Sequence, residues 1–170
     1  MNKEEQFETR FALHRYYIWS NRMWENYRES VKFVESAPSN HQEKAGALST
    51  HVFMHFSYWM ASLYVVVEDW SKYGINDPAV TELLKSKHLA KMKRYRNGVF
   101  HFQKKYYNVK FEEFLKEGSE IADWSYKLHR AVGDAFLKWF QEIGLKFEEG
   151  DNGSSTTVSN LSGRTMKFTR

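Results

Sequence analysis

The sequence predicts an all-α protein, an antiparallel bundle of four to five helices. Three observations carry this. Apolar residues recur at helical spacing over long windows, only two prolines and nine glycines punctuate 170 residues, and no strand-period segment occurs in the first 145. Hydrophobic residues make up 42% of the chain and aromatic ones 17%, enough for one packed core, which excludes disorder over most of the length. With no cysteine, disulfides, thiolate metal sites and Cys nucleophiles are excluded. The charged start, Met1-Asn2-Lys3-Glu4-Glu5, lacks the apolar core of a secretory signal. The longest apolar run, Val52 to Val67, is interrupted by His55 and short for a membrane span. A soluble cytoplasmic domain with no membrane partner is expected.

The first helix runs from about Asn2 to Ser36, with Leu13, Tyr17, Ser20, Trp24, Tyr27, Val31 and Val34 as its stripe. Ala37-Pro38 ends it, because the residue before proline is pushed out of the α region. Ser39 with Gln42 reads as a capping box for the second helix, which reaches Lys72. That helix is apolar almost all round, the mark of a central or interface helix. Tyr73-Gly74-Ile75-Asn76 makes a turn, Asp77 caps the third helix, and Pro78 suits its first position. The third helix is expected to reach Phe102, with Leu84, His88, Met92, Tyr95, Val99 and Phe102 facing inward. Tyr106-Tyr107-Asn108 breaks the chain before a short helix, Phe111 to Glu117, closed by Gly118. The last helix starts near Ser119, buries Ile121, Trp124, Leu128, Val132, Phe136, Trp139 and Ile143, and stops at Gly144. Residues 1–148 form the bundle; 149–170, rich in Gly, Ser and Thr, read as a flexible tail.

Charge is distributed unevenly. Between Glu82 and Glu112 there is no acid, but there are nine cations: Lys85, Lys87, Lys91, Lys93, Arg94, Arg96, Lys104, Lys105 and Lys110. With a net charge of +4, the rest of the chain carries −5. A basic island in an acidic protein suggests a phosphate-bearing partner; the plainer reading is a solvated lysine-rich helix face.

Within the island lies Arg96-Asn97-Gly98-Val99-Phe100-His101. An Arg, a polar residue and a His five places after the Arg, late in the third helix of a bundle, resemble the signature of HEPN domains (higher eukaryotes and prokaryotes nucleotide-binding). The resemblance covers residues 1 to about 145. It includes Phe111-Glu112-Glu113-Phe114-Leu115 with Trp124 and Leu128-His129, which are similar to the last helices of small prokaryotic members. It implies a homodimer with facing motifs, metal-independent RNA cleavage or a non-catalytic nucleotide- or partner-binding role, and a toxin or defence setting with an antitoxin partner.

The chemistry can be argued from the residues. When a 2′-hydroxyl attacks the neighbouring phosphorus, a group that moves protons near neutral pH is needed, and histidine is that group. A permanently charged planar guanidinium suits the phosphorane. His101 is thus the proton-transfer residue and Arg96 the phosphate holder, with Asn97 four residues before His101 placed to orient the imidazole. Arg96 and His101 stand about 140° apart on a straight helix, so Gly98 must loosen the turn or a second protomer must complete the site. Lys93, Arg94, Lys104 and Lys105 are candidate RNA backbone contacts. The structural alternative for Arg96 and His101 is an interhelical salt bridge and a cation at a helix C-terminus.

Other constellations rank lower. His51 and His55, four apart, could hold a metal with His14 or His88, but the zinc-protease Glu is absent and no metal is assigned. Glu68 and Asp69 are adjacent and make a poor acid/base pair. No Gly-rich phosphate loop is present, and no cofactor is expected. Tyr95, Phe100, Phe102, Tyr106 and Tyr107 interleave with the cations, and any exposed ring could stack on bases, although Tyr95 and Phe102 fall on the inward stripe.

Overall fold

The computed structural model describes the backbone of residues 3–36, 42–106, 108–144, 146–149, 155–159 and 165–169, with side chains at 4–36, 46, 49–106 and 108–144. It is an all-α helical bundle with a short sheet at its C-terminal end: α1 (Lys3–Ser36), α2 (Gln42–Lys72), α3 (Pro78–Leu83), α4 (His88–Phe100), α5 (Val109–Leu115), α6 (Ser119–Glu142), then β1 (Lys146–Glu149), β2 (Ser155–Ser159) and β3 (Thr165–Thr169). The chain forms two compact units, Met1–Arg130 and Ala131–Arg170, and α6 contributes to both.

In the first unit α2 is the central element, as its apolar circumference implies. Met60, Ala61, Leu63 and Val66 are fully buried, and Trp59, Val67 and Trp70 nearly so. It packs antiparallel on α1, where Trp24 and Tyr27 stack around Trp59 and the Ser20 hydroxyl donates to the Trp59 carbonyl at 3.3 Å. On another side Tyr95 of α4 is wholly buried, its hydroxyl 2.8 Å from the buried Ser57 Oγ and its ring 4.5 Å from Phe114 of α5. Burial pushes the Tyr95 hydroxyl up to about 12.

The local signals act where the sequence places them. Gly74 (φ 62°), Gly118 (φ 57°) and Gly144 (φ 70°) take the left-handed conformation that ends a helix. Asp77 Oδ1 accepts from the amides of Ala79 and Val80 at 3.0 and 3.1 Å, with Pro78 in the first turn. Asn108 caps α5 by accepting from the Lys110 amide. Ser39 and the Gln42 side chain, the expected capping box, lie outside the described residues.

The long third helix is in fact two. It stops at Leu83 and restarts at His88, where the Ser86 hydroxyl accepts from the His88 amide at 3.2 Å. At the break the Leu83 carbonyl accepts from the Ser86 amide at 3.2 Å and, as a second donor, from the Trp124 indole of α6 at 3.0 Å. α4 then ends at Phe100, two residues short of expectation, and His101 turns into extended backbone (φ −122°, ψ 131°). Past that point the helical period no longer decides burial: Phe102, expected inside, is 92% exposed.

In the second unit Val132, Phe136, Trp139 and Phe140 are buried along α6. The strands pair antiparallel in the order β1-β2-β3, with Phe147, Val158 and Met166 in one register line. The segment expected to be a flexible tail therefore has strand backbone at 155–159 and 165–169. The β-branched and alternating residues of Ser155-Thr156-Thr157-Val158-Ser159 and Thr165-Met166-Lys167-Phe168-Thr169 suit a pleated ribbon.

Candidate functional site

The motif sits where α4 gives way to the α4–α5 loop. Arg96 points back onto α2. One guanidinium nitrogen, Nη2, forms a salt bridge with Glu68; Nη1 donates to Asn97 Oδ1 at 3.0 Å. The guanidinium lies 5.1 Å from the Tyr64 ring centre, and among the described residues its buried Nε has no hydrogen-bond partner. The Arg96 side chain is only 20% exposed. Burial, and then the Glu68 carboxylate, push the Tyr64 hydroxyl up to about 12.

His101 is exposed and stands off the end of α4. Among the described residues its imidazole has no hydrogen-bond partner. The expected helical pairing with Asn97 does not form, because the helix ends one residue before His101 and Asn97 Oδ1 turns to Arg96 instead. Gln103, which no motif or spacing singles out, holds this corner. Its Nε2 donates to the carbonyls of His101 and Asn97, and its Oε1 accepts from Lys110 Nζ at 3.3 Å. Gly98 does not loosen α4. It is buried inside the helix, and a Cβ there would meet the Phe111 ring at 3.2 Å. Its role is to let α5 approach.

The basic island is divided by the fold. Acids from outside the segment come to its first two thirds: Glu82 to Lys85, Glu117 to Lys91, Glu117 and Glu120 to Lys87, Glu113 to Arg94, and Glu68 to Arg96. Lys93, Lys104, Lys105 and Lys110 have no carboxylate partner among the described residues. Arg94, a candidate RNA contact, is thus paired, whereas Lys93, Lys104 and Lys105 are exposed and unpaired. Positive charge that looked spread over the segment is concentrated around the exposed end of α4 and the loop beyond it.

The histidines do not converge on a metal. The rings of His51 and His55 lie 6.3 Å apart, and His55 Nδ1 is 3.0 Å from the Ser30 hydroxyl. His14 is on α1, and burial lowers its pKa to about 4. His88 lies between two carboxylates, 3.6 Å from Glu117 and 3.1 Å from Glu120. Among the described residues these three are the one group with metal-ligating spacing, and Lys87 and Lys91 already compensate both acids. A mostly apolar groove of about 490 Å³, lined by Tyr27, Val31, Val52, Phe56 and Leu115 among others, includes none of the motif residues. Among the described residues no helix is long and apolar enough to cross a membrane.

No family model matches the chain, and neither a curated protein nor a solved structure does. The resemblance to HEPN domains therefore rests on the sequence motif alone, with no comparison adding to it.

Proposed function

We propose that this chain is a HEPN-like RNA-binding protein that cleaves RNA without a metal, as a homodimer of toxin or defence type held in check by a partner protein. The observation that carries this reading is the placement of an exposed, unpartnered His101 between the helix bearing Arg96 and a loop bearing unpaired Lys104 and Lys105. A phosphodiester held by those lysines lies within reach of the imidazole. His101 takes the 2′-hydroxyl proton as the 2′-oxygen bonds to phosphorus; the phosphorus–5′-oxygen bond breaks as that oxygen takes a proton from water, leaving a 2′,3′-cyclic phosphate and a 5′-hydroxyl, and His101 returns its proton to solvent. Arg96, once it exchanges Glu68 for the phosphate, stabilises the phosphorane. Exposed Met54, Tyr58 and Phe100, the last two with rings 6.3 Å apart, supply apolar surface beside the motif for a second copy.

The experiment is cleavage of end-labelled RNA by purified protein in EDTA, with His101→Ala and Arg96→Ala alongside. Cyclic-phosphate products that vanish in both variants support the reading. Intact RNA with wild type, free of any copurified protein, overturns it.

A second reading, a non-catalytic module that binds a nucleotide or a protein partner, is favoured by one observation. Arg96 is occupied by Glu68, Asn97 and Tyr64, as a structural arginine is. On that reading Arg96→Ala lowers stability and leaves no cleavage to lose.

A further inference from the structure

We propose that the α4–α5 loop is a stacking platform for unpaired RNA bases, with Phe102 and Tyr106 as its two rings. The inference rests on the RNA reading of the same site and names its substrate class as single-stranded. Phe102 is 92% and Tyr106 90% exposed; among the described residues every other exposed large hydrophobic side chain lies between 37% and 58%. These two rings present almost their whole surface to water.

Their surroundings indicate what covers them. Lys104 and Lys105 lie between the two rings in sequence, exposed and without a carboxylate partner among the described residues. Apolar rings alternating with unpaired cations complement a strand that alternates base and phosphate. A protein partner would need acids to match those lysines, whereas a nucleic-acid strand brings a negative charge at every residue. The loop is anchored at its base by Gln103, which binds the carbonyls of His101 and Asn97, and by the Lys110 contact to Gln103. The rings thus project from a fixed corner next to His101. In duplex RNA the base faces are covered by one another, so the rings have nothing to stack on. An unpaired strand offers a face at each nucleotide.

The test uses the full chain, fluorescence anisotropy, unstructured 12-nucleotide RNAs (oligouridylate and oligoadenylate) and a 12-base-pair RNA duplex. The wild type binds the single strands more tightly than the duplex. Phe102→Ala and Tyr106→Ala each weaken single-strand binding by about tenfold, leave duplex binding and the salt dependence unchanged, and melt at the wild-type temperature. Phe102→Trp restores the affinity. Lys104→Glu with Lys105→Glu instead lowers affinity for both forms and flattens the salt dependence. Equal affinity of the wild type for duplex and single strand overturns the platform, as does unchanged single-strand binding by Phe102→Ala. So does a ring substitution that changes sedimentation but not RNA affinity, since it marks a protein interface. A wild type that binds neither RNA removes the RNA reading and the platform together. Ring-dependent binding of single strands without cleavage removes only the catalytic reading and leaves the platform standing.

Discussion

Acid destabilises this protein through His129. Its ring is 2% exposed, with the rings of Tyr17, Trp24 and Trp59 within 5.8 Å. The Trp59 indole donates to Nδ1 at 3.2 Å, so Nδ1 carries no proton; Nε2 then donates to Asn21 Oδ1 at 3.0 Å. Protonation would set two N–H groups against each other in a buried site. Burial, with a smaller contribution from the Arg130 charge, lowers the pKa from 6.5 to about 4. In the unfolded chain the ring titrates at its ordinary value, so the unfolded state takes up the proton first. The stabilisation is complete above about pH 6.5 and is lost as pH falls towards 4. At about 1.4 kcal/mol per pH unit, the loss is roughly 2 kcal/mol at pH 5 and about 3 kcal/mol near pH 4. His14, also lowered to about 4 by burial, adds in the same direction. Glu117 is held below its usual value first by its hydrogen bond to Lys91, so its stabilisation too is lost as pH falls. Urea unfolding at pH 7 and pH 5 should therefore show the wild type losing about 2 kcal/mol more than His129→Gln over that interval. The imidazole resonances of His129 should stay neutral to below pH 5. A measured pKa near 6.5, or equal losses in wild type and variant, would refute the reasoning.

Four further outcomes are expected. His101→Ala should lower RNA cleavage by roughly 10²- to 10⁴-fold in a folded protein, and Arg96→Lys should rescue Arg96→Ala poorly, as single-turnover rates will show. Glu68→Gln should release Arg96 and raise affinity for RNA several-fold in a binding titration, at some loss of stability; unchanged affinity would assign Arg96 to the fold. Lys104→Glu with Lys105→Glu should weaken RNA binding across sequences, whereas reversing Lys85, already paired with Glu82 at 2.5 Å, should change little. Gly98→Val should destabilise by about 1–3 kcal/mol in thermal melts, because a branched side chain has no room beneath the Phe111 ring.

The helices were legible because their signals are local. The stripe from Leu13 to Val34 runs along α1, Asp77 and Pro78 open α3, and Gly74, Gly118 and Gly144 end helices by adopting a backbone that other residues resist. Of the positions chosen from periodicity for the last helix, Ile121, Trp124, Leu128, Val132, Phe136 and Trp139 are buried, and Ile143, just past its end, is half-buried. The same local reasoning singled out Arg96, Asn97 and His101 as candidates, since residue types and spacing are written in order along the chain.

Tertiary structure decided what that cluster touches. Arg96 meets Glu68 from 28 residues upstream, and Asn97 follows Arg96 rather than His101. Five of the nine island cations pair with acids on α2, α3, α5, α6 and the α5–α6 turn, while Lys93, Lys104, Lys105 and Lys110 have no carboxylate partner among the described residues. At the break after Leu83, Trp124, 41 residues on, adds a second donor to a carbonyl that the Ser86 amide already reaches, and Gly98 is a glycine because Phe111 crosses it. Phe102 continues the inward period in sequence, yet α4 ends first, so the ring that periodicity places in the core stands in water. Spacing along the chain sets which residues share a helix face. Which partner that face meets, and where the helix stops, depends on side chains tens of residues away competing for the same hydrogen bonds, charges and space.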